Sequence, residues 1–589
     1  MFGRSRTVAD LLVEKLEESG VKRIYGIVGD SLNPVSDAIK RSGKLDWIHV
    51  RHEEAGAFAA SAEAQLSGSL TVCAGSCGPG GLHLINGLYD AHRAMVPVLA
   101  LVSHIPSYEI GTQYFQETHP SLIFQECSHY CELVSNAQQM PRVLQIAMQS
   151  AVGKRGVSVL ILPGDIAAAT IDEKTEERFS SPISLNYPKV RPLDGDLQRA
   201  AQMIDEAERP VIFGGAGCAE SHDEVVQLAQ TLKAPVGYAF RGKQFLEYEN
   251  PYAVGMTGLL GYGAAYDAMQ ACDLLILLGT DFPYEKFYPT KAKIIQVEIR
   301  PEHLGRRCKV DLGLLGDVKE TLNALQTIVK PKDDAGFLDK MLEENKDRTE
   351  NLNIYVEHSG EQDLIRPEFV AAKINELADD NAIISADTGL CNIWMAHYIK
   401  AKKDRRLLAS YSHGSMANAF SYSIGAACLN GESQVISMSG DGGFAMLMGE
   451  MLTVRQLQLP VKTVIFNNGS LGFVDMEMEV AGYEGFQTRL DNPNFAAVAE
   501  AMGMKGIRIE SPKDVESGLR EALAYDGAVF VDVVTDPNAI SLPPHIGKDQ
   551  VFGYGITMSK YILSGEIDKV AKKIRSNYRL SKEAIDDII

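Results

Sequence analysis

Asp441 and Asn468 are the residues of this chain best placed to grip a metal ion. Asp441 sits in Gly440-Asp441-Gly442-Gly443, and Asn468 in Asn467-Asn468-Gly469-Ser470. A carboxylate, an amide oxygen and the backbone carbonyl of Ser470 are hard donors of the kind Mg²⁺ takes, and Mg²⁺ readily keeps phosphate oxygens as well. The glycines let a diphosphate approach the backbone, and a helix starting there directs its N–H groups at the anion. The sequence between the motifs supports this placement. Residues 434–439 read as a buried strand, residues 444–457 carry apolar side chains at helical spacing, and residues 461–466 read as a second strand. Both ligands then fall at carboxyl ends of strands, where open α/β sheets bind small molecules. Taken singly, each motif also reads as an ordinary glycine turn.

Further chemistry-bearing residues lie far away in sequence. Glu53, in Arg51-His52-Glu53-Glu54-Ala55-Gly56-Ala57, follows the short strand 47–50. Alone it reads as an acid at a helix start. Residues 73–80, Cys-Ala-Gly-Ser-Cys-Gly-Pro-Gly, form a glycine-rich turn after a strand; Phe115-Gln116-Glu117 and His413-Gly414-Ser415-Met416-Ala417 are the other two segments of note. Met416 on its own reads as core. In the middle of the chain, strand 211–213 runs into Gly214-Gly215-Ala216-Gly217-Cys218. Strand 274–278 ends in Gly279-Thr280-Asp281-Phe282-Pro283-Tyr284, and strand 294–299 carries Glu298 near its end. An acid at such a strand end suits ribose hydroxyls.

Together these segments resemble the thiamin-diphosphate- and FAD-dependent pyruvate oxidase family, especially its quinone-linked members. Residues 51–60, 75–80, 104–106, 115–120, 127–134, 440–449 and 471–478 carry the resemblance, which runs from about residue 7 to about residue 580. It implies an enzyme that decarboxylates pyruvate oxidatively to acetate and CO₂, with thiamin diphosphate, Mg²⁺ and FAD as cofactors and a membrane quinone as electron acceptor. Glu53 is then the acid that bonds the aminopyrimidine N1′, and Phe115, Gln116 and Phe473 shape the pocket. Gly414, Ser415 and Met416 lie beneath the thiamin, with Met416 as the wedge that bends it. Asp441, Asn468 and Ser470 hold the metal, and Gly442, Gly443, Gly469, Leu471, Gly472 and Val474 surround the diphosphate. Thr257, Gly258, Leu259 and Leu260, residues 280–284 and Glu298 correspond to flavin-contacting positions; Arg241 and Lys243 are candidates for its diphosphate.

The bulk properties are compatible. The chain has 589 residues and a net charge of −20, so several domains are expected and nucleic acid is a poor partner. Nine cysteines without regular spacing argue against a disulfide framework and for a reducing cytoplasm. The start leads into an amphipathic helix (Val8, Leu11, Leu12, Leu16), not a signal core, and no apolar run is long enough to span a membrane.

Strands and helices alternate throughout, which predicts consecutive α/β domains with parallel sheets. The expected division is 1–182 for a pyrimidine-binding domain, 183–335 for a Rossmann-like FAD domain, 336–540 for a diphosphate- and Mg²⁺-binding domain, and 541–589 for a helical tail. The family layout implies a homotetramer in which Glu53 serves a cofactor held by a neighbouring subunit. In the tail, Leu563, Ile567, Val570, Ala571 and Ile574 recur at helical spacing among Lys569, Lys572, Lys573 and Arg575. Such a basic amphipathic helix suits reversible binding to the inner face of the cell membrane, against which Asp586 and Asp587 would act. Three alternatives fit the same residues: a pyruvate oxidase that uses oxygen and phosphate to make acetyl phosphate and peroxide, an acetolactate synthase, and a non-catalytic cofactor-binding assembly protein.

Overall fold

The computed structural model describes residues 6–172, 183–357, 363–429, 431–539, 556–560 and 567–577, with positions 174, 178, 179, 181 and 359 between them. Three sheets follow one another along the chain, as the alternation of strand and helix patterns predicts. The first contains, in spatial order, Asp46–His49, Arg23–Gly26, Thr71–Gly75, Val98–His104, Val157–Pro163 and Tyr130–Leu133, all parallel. The third contains Arg406–Ala409, Ile383–Ala386, Val435–Gly440, Val461–Asn467, Val529–Val534 and Lys505–Ile509, also all parallel. Numbered within each sheet, both orders read 2-1-3-4-6-5. The two outer domains are therefore copies of one topology, and each has its crevice at the carboxyl ends of its central strands.

The middle sheet runs Tyr262–Gly263, Ala253–Met256, Val236–Tyr238, Pro210–Gly214, Leu274–Leu278, Lys293–Glu298 and Leu312–Leu315, with only the first, two-residue strand antiparallel. Chain order reverses between Pro210–Gly214 and Leu274–Leu278. A dinucleotide binds at such a switch point. Helix Gly336–Leu352, which the expected boundary puts at the head of the third domain, packs on this middle sheet: Arg348 donates to the Gly263 carbonyl at 3.1 Å and pairs with Asp267.

The outer domains share one core. Helix Glu53–Ser67 of the first crosses helix Asn418–Leu429 of the third, and both are buried along nearly their whole length. Alanines and glycines make the approach possible. A Cβ on Gly425 would lie 2.1 Å from the carbonyl oxygen of Ala59. Phe58, Phe420, Tyr422, Phe444 and Phe530 fill the space around this crossing, so the helix that begins with Glu53 is fixed by the packing of both domains.

The stretch after Asp441, which reads as one helix, is broken. Helix Asp441–Met446 gives way to a 3₁₀ turn, Met448–Glu450, before helix Met451–Leu457. The break turns Glu450 inward, where its Oε1 accepts the backbone N–H groups of Arg51 and His52 at 2.9 and 2.8 Å.

Helix Ile567–Ser576 of the tail docks on the third domain. Val570, Lys573 and Asn577 face inward, whereas Ala571 is exposed. This corrects the expected apolar stripe: Lys573 belongs to the buried face because Glu479 and Asp475 draw its ammonium there. Leu563, Asp586, Asp587 and the side chains of Ile567, Lys569, Ile574 and Arg575 lie outside the described residues. Among the described residues no helix is long and apolar enough to cross a membrane.

Candidate functional site

Parallel pairing of Val435–Gly440 with Val461–Asn467 sets Gly440 beside Phe466. Asp441 and Asn468 therefore leave adjacent strands at the same edge. Asp441 is buried. Its Oδ1 accepts the Gly442 N–H, and its Oδ2 accepts the Gly469 N–H and the Asn492 amide, each at 2.8 Å. Burial pushes its carboxyl up to about 6. Asn468 Oδ1 accepts the Ser470 N–H at 3.0 Å. The ladder beside it is made by Leu471 N–H to Thr488 O and Leu490 N–H to Gly469 O, so it does not use the Ser470 carbonyl. Asn467 has a different task from its neighbour: it donates to the fully buried Asp532 at 2.9 Å and anchors the strand end.

The glycines of this edge sit against specific neighbours. A Cβ on Gly442 would meet Leu471 Cδ2 at 2.8 Å, with Met416 Cε at 3.4 Å. One on Gly443 would lie 2.0 Å from Asp387 Oδ2. Met416, Gly442 and Leu471 are thus brought together, and Asp387 joins them from the neighbouring strand end. Burial pushes Asp387 up to about 7. Its Oδ2, the Thr388 Oγ1 and the Asn392 Oδ1 are buried without a hydrogen-bond partner among the described residues. Asp387 lies just past the end of its strand, and Asn392 is on the first turn of the following helix, Leu390–Tyr398.

In the first domain, Glu53 is 5% exposed at the start of its helix, with His83 Nδ1 2.9 Å from Oε2. Gly80 leaves room at the other oxygen, since a Cβ there would lie 3.0 Å from Oε1. The same loop reaches Gln116, whose Oε1 accepts the Cys77 thiol at 3.3 Å. Glu53, the 75–80 loop and Gln116 therefore form one group, beside which Phe115 stands 78% exposed. Among the described residues no hydrogen bond or ion pair joins Glu53 to Asp441, Asn468 or Ser470.

At the middle sheet's switch point the two glycine-rich turns touch. Gly217 N–H donates to the Gly279 carbonyl at 2.9 Å, and a Cβ on Gly215 would meet Thr280 Cβ at 2.7 Å. Thr257 Oγ1, next to Gly258, Leu259 and Leu260, is buried with no hydrogen-bond partner among the described residues, and Leu259 is exposed. Phe282 is buried against Phe213, Tyr284, Phe287 and Tyr288, and Asp281 pairs with Arg306 and Arg307. Glu298 is buried and turns Oε1 onto the N–H groups of Ile299 and Arg300. Arg241 and Lys243 are engaged elsewhere. Arg241 donates to the Ala94 carbonyl at 2.5 Å. Lys243, fully buried, pairs with Glu247 at 2.7 Å and with the Tyr262 hydroxyl, and burial brings it down to about 8.

Three models describe successive parts of the sequence: the thiamine pyrophosphate enzyme N-terminal TPP binding domain (residues 6–123), the central domain (197–325) and the C-terminal TPP binding domain (387–533). YdaP of Bacillus subtilis (strain 168), provisionally described as thiamine pyrophosphate-containing, is 34% identical over 95% of this chain and 96% of its own length. The chain belongs to the thiamine pyrophosphate enzyme family. A probable acetolactate synthase large subunit of Methanocaldococcus jannaschii is 31% identical over 96% of this chain and 98% of its own. Pyruvate oxidase of Lactiplantibacillus plantarum is 30% identical over 89% and 87%.

The residues of this thiamine pyrophosphate enzyme fit the cofactor its family is named for. The carboxylate of Asp441, the amide of Asn468 and the Ser470 carbonyl are donors of the kind a hard cation takes, and oxygens of Asp387, Thr388 and Asn392 with no hydrogen-bond partner among the described residues lie at the next strand end. Sequence reading missed Asp387, Thr388 and Asn392, because Asp-Thr-Gly after a strand reads as a plain turn. It missed Asn492 and Glu450 because their partners are distant in sequence. Asp-Thr-Gly at the end of the strand next to the Gly-Asp-Gly strand is the one signal that could have found the first group.

Proposed function

We propose that this chain oxidises pyruvate, using thiamin diphosphate with Mg²⁺ and FAD, and passes the electrons to a membrane quinone. The balance is pyruvate plus water to acetate, CO₂, two protons and two electrons. When bound, thiamin diphosphate supplies a nucleophilic carbon and an electron sink for decarboxylation, and FAD a two-electron acceptor. Asp441, Asn468 and the Ser470 carbonyl would hold the cation, and Gly442, Gly443, Gly469 and Gly472 would surround the diphosphate, with Gly469 the open one, where a Cβ would meet nothing closer than 3.6 Å. Glu53 would hold the proton at the aminopyrimidine N1′, its orientation set by His83 and by Glu450 at the helix start. Gln116, Phe115 and Phe473 would border the substrate and limit water. Thr257 and the paired turns at 214–217 and 279–282 would take the flavin nucleotide.

The observation that carries this reading is the combination of a hard-cation edge in the third domain with a dinucleotide-type switch point in the second. Similarity to a pyruvate oxidase supports the substrate. A pairing of two copies would bring Glu53 of one chain to the Asp441 edge of the other: Leu82, Tyr114 and Phe115 are exposed near Glu53, and Met446, Tyr483 and Phe486 are exposed in the third domain. Docking of helix Ile567–Ser576 beside the pocket-flanking helix Gly472–Val480 suits a tail that leaves for a lipid surface. Similarity to an acetolactate synthase favours a second reading, in which two pyruvates are joined without net oxidation.

The test is anaerobic turnover of pyruvate by protein loaded with thiamin diphosphate, Mg²⁺ and FAD, with quinone, oxygen or phosphate added separately and the products identified. Quinone-dependent acetate supports the proposal. Acetolactate, or acetyl phosphate that requires phosphate and oxygen, replaces it with the corresponding alternative.

A further inference from the structure

The turn that carries Met416 is held from two domains: within its own, Gly414 N–H donates to the Ser410 carbonyl at 2.9 Å and Ala419 N–H to Asp387 Oδ1 at 3.3 Å, and further side-chain bonds come from the first domain. Asp90, 1% exposed on helix Ile85–Arg93 of the first domain, accepts the Ser410 hydroxyl at 2.6 Å through Oδ1. Its Oδ2 accepts the hydroxyls of Ser61 (3.0 Å) and Tyr422. With its proton committed to Asp90, the Ser410 oxygen turns a lone pair to the Ser415 N–H, 3.0 Å away. One turn earlier on the same helix, Asn86 donates to Glu54 Oε1 (2.7 Å) and to Ser415 Oγ (2.9 Å), while its Oδ1 faces His413 Nε2 at 2.8 Å. The carboxylate of Glu54 fixes which end of the amide donates, so Asn86 Oδ1 must accept and His413 carries its proton on Nε2. Ser415 Oγ in turn donates to the Met416 carbonyl at 2.9 Å.

The backbone here needs holding. Gly414 has φ +73°, and Ala417, directly after Met416, has φ +65°. A non-glycine residue keeps that left-handed conformation only where its surroundings over-determine it. Local propensity would not give the turn; the bonds from Asp90 and Asn86 on its 410–416 side, and those to Asp387 and Ala386 just after it, do.

We propose that Asp90 and Asn86 are positioning residues: from the first domain they set the 410–416 turn and thereby the placement of Met416 against Gly442 in the third. This rests on the reading of Met416 as a support for bound thiamin diphosphate. The inference concerns the geometry of the cofactor, not its retention, because the diphosphate and metal are held from the Asp441 edge.

Ser410→Ala and Ser61→Ala each remove one hydrogen bond to the same buried carboxylate, but only the first frees the turn. Each variant is titrated with thiamin diphosphate and Mg²⁺ by calorimetry, its melting temperature is measured, and hydrogen–deuterium exchange at C2 of the bound cofactor is followed. Both should lose similar melting temperature and keep cofactor affinity within about threefold. Ser410→Ala alone should slow C2 exchange at least about tenfold, the scale on which sub-ångström to 1 Å misplacement acts. Equal slowing in both variants, or none in Ser410→Ala, overturns the proposal while leaving the cofactor reading intact. Wild-type protein that takes up no thiamin diphosphate overturns both.

Discussion

Replacing Lys573 by Met should detach the C-terminal helix while leaving the three domains folded. Lys573 is 6% exposed, and its ammonium lies against both carboxylate oxygens of Glu479, which is 1% exposed. Asp475 stands 3.9 Å away. Stripping a buried carboxylate of its cation costs about 3–5 kcal/mol, and that cost falls on the docked state only, since Glu479 regains water when the helix leaves. The docking equilibrium should therefore shift by roughly 10²- to 10³-fold or more. Other contacts oppose complete release: Thr557 donates to the Glu479 carbonyl at 2.9 Å, Lys560 to the Gly482 carbonyl at 2.8 Å and Asn577 to the Asn538 carbonyl at 2.7 Å. The assay is limited proteolysis under conditions where opening is fast relative to cleavage, so that the rate of tail loss follows the open population; amide exchange over residues 567–577 is read in parallel. Lys573→Met/Glu479→Leu should restore protection, because an apolar pair can replace a buried ion pair at little cost. Unchanged tail cleavage in Lys573→Met, or a double variant no better than the single one, would refute the reasoning.

Two other perturbations test the third domain's edge. Gly443→Ala should weaken thiamin diphosphate binding far more than Gly442→Ala, as measured by calorimetric titration. The first new methyl would lie 2.0 Å from the Asp387 carboxyl, whereas the second meets the movable tip of Leu471 at 2.8 Å. Thiamin diphosphate with Mg²⁺ should raise the melting temperature of the wild type but not of Asp441→Asn. The same binding has a pH dependence of definite sign. A cation needs Asp441 ionised, and burial puts its carboxyl at about 6, so protons compete below that pH and affinity should fall up to about tenfold per pH unit there, with no loss between pH 7 and 8.

Much of the fold was readable because parallel strands buried on both faces appear as short apolar runs, such as 274–278 and 98–102, separated by helical spacing. Asp441 and Asn468 were readable because each follows such a run, so the sequence places them at strand ends without further information. The interdomain chemistry was not. Glu450 reads as one more residue of a continuous helix, and only the N–H groups of Arg51 and His52 explain the 3₁₀ turn that moves it inward. Asn86 and Asp90 find their third-domain partners more than 300 positions away, beyond the reach of any local pattern. Lys573 was misplaced for a related reason. A lysine on a helix is read as solvent-facing, yet here Glu479 supplies a partner that makes burial tolerable. The identical 2-1-3-4-6-5 order of the outer sheets also leaves little trace in sequence, since topology is kept by packing and not by residue identity.

The central claim is that one chemical path links a thiamin site to a flavin site. It is tested most directly by mixing the protein, loaded with thiamin diphosphate, Mg²⁺ and FAD, with pyruvate in the absence of oxygen and following flavin absorbance. Bleaching of the flavin is expected in the wild type, and much slower bleaching in Glu53→Gln. A flavin that stays oxidised in cofactor-loaded wild-type protein, or bleaching equally fast without Glu53, would contradict it.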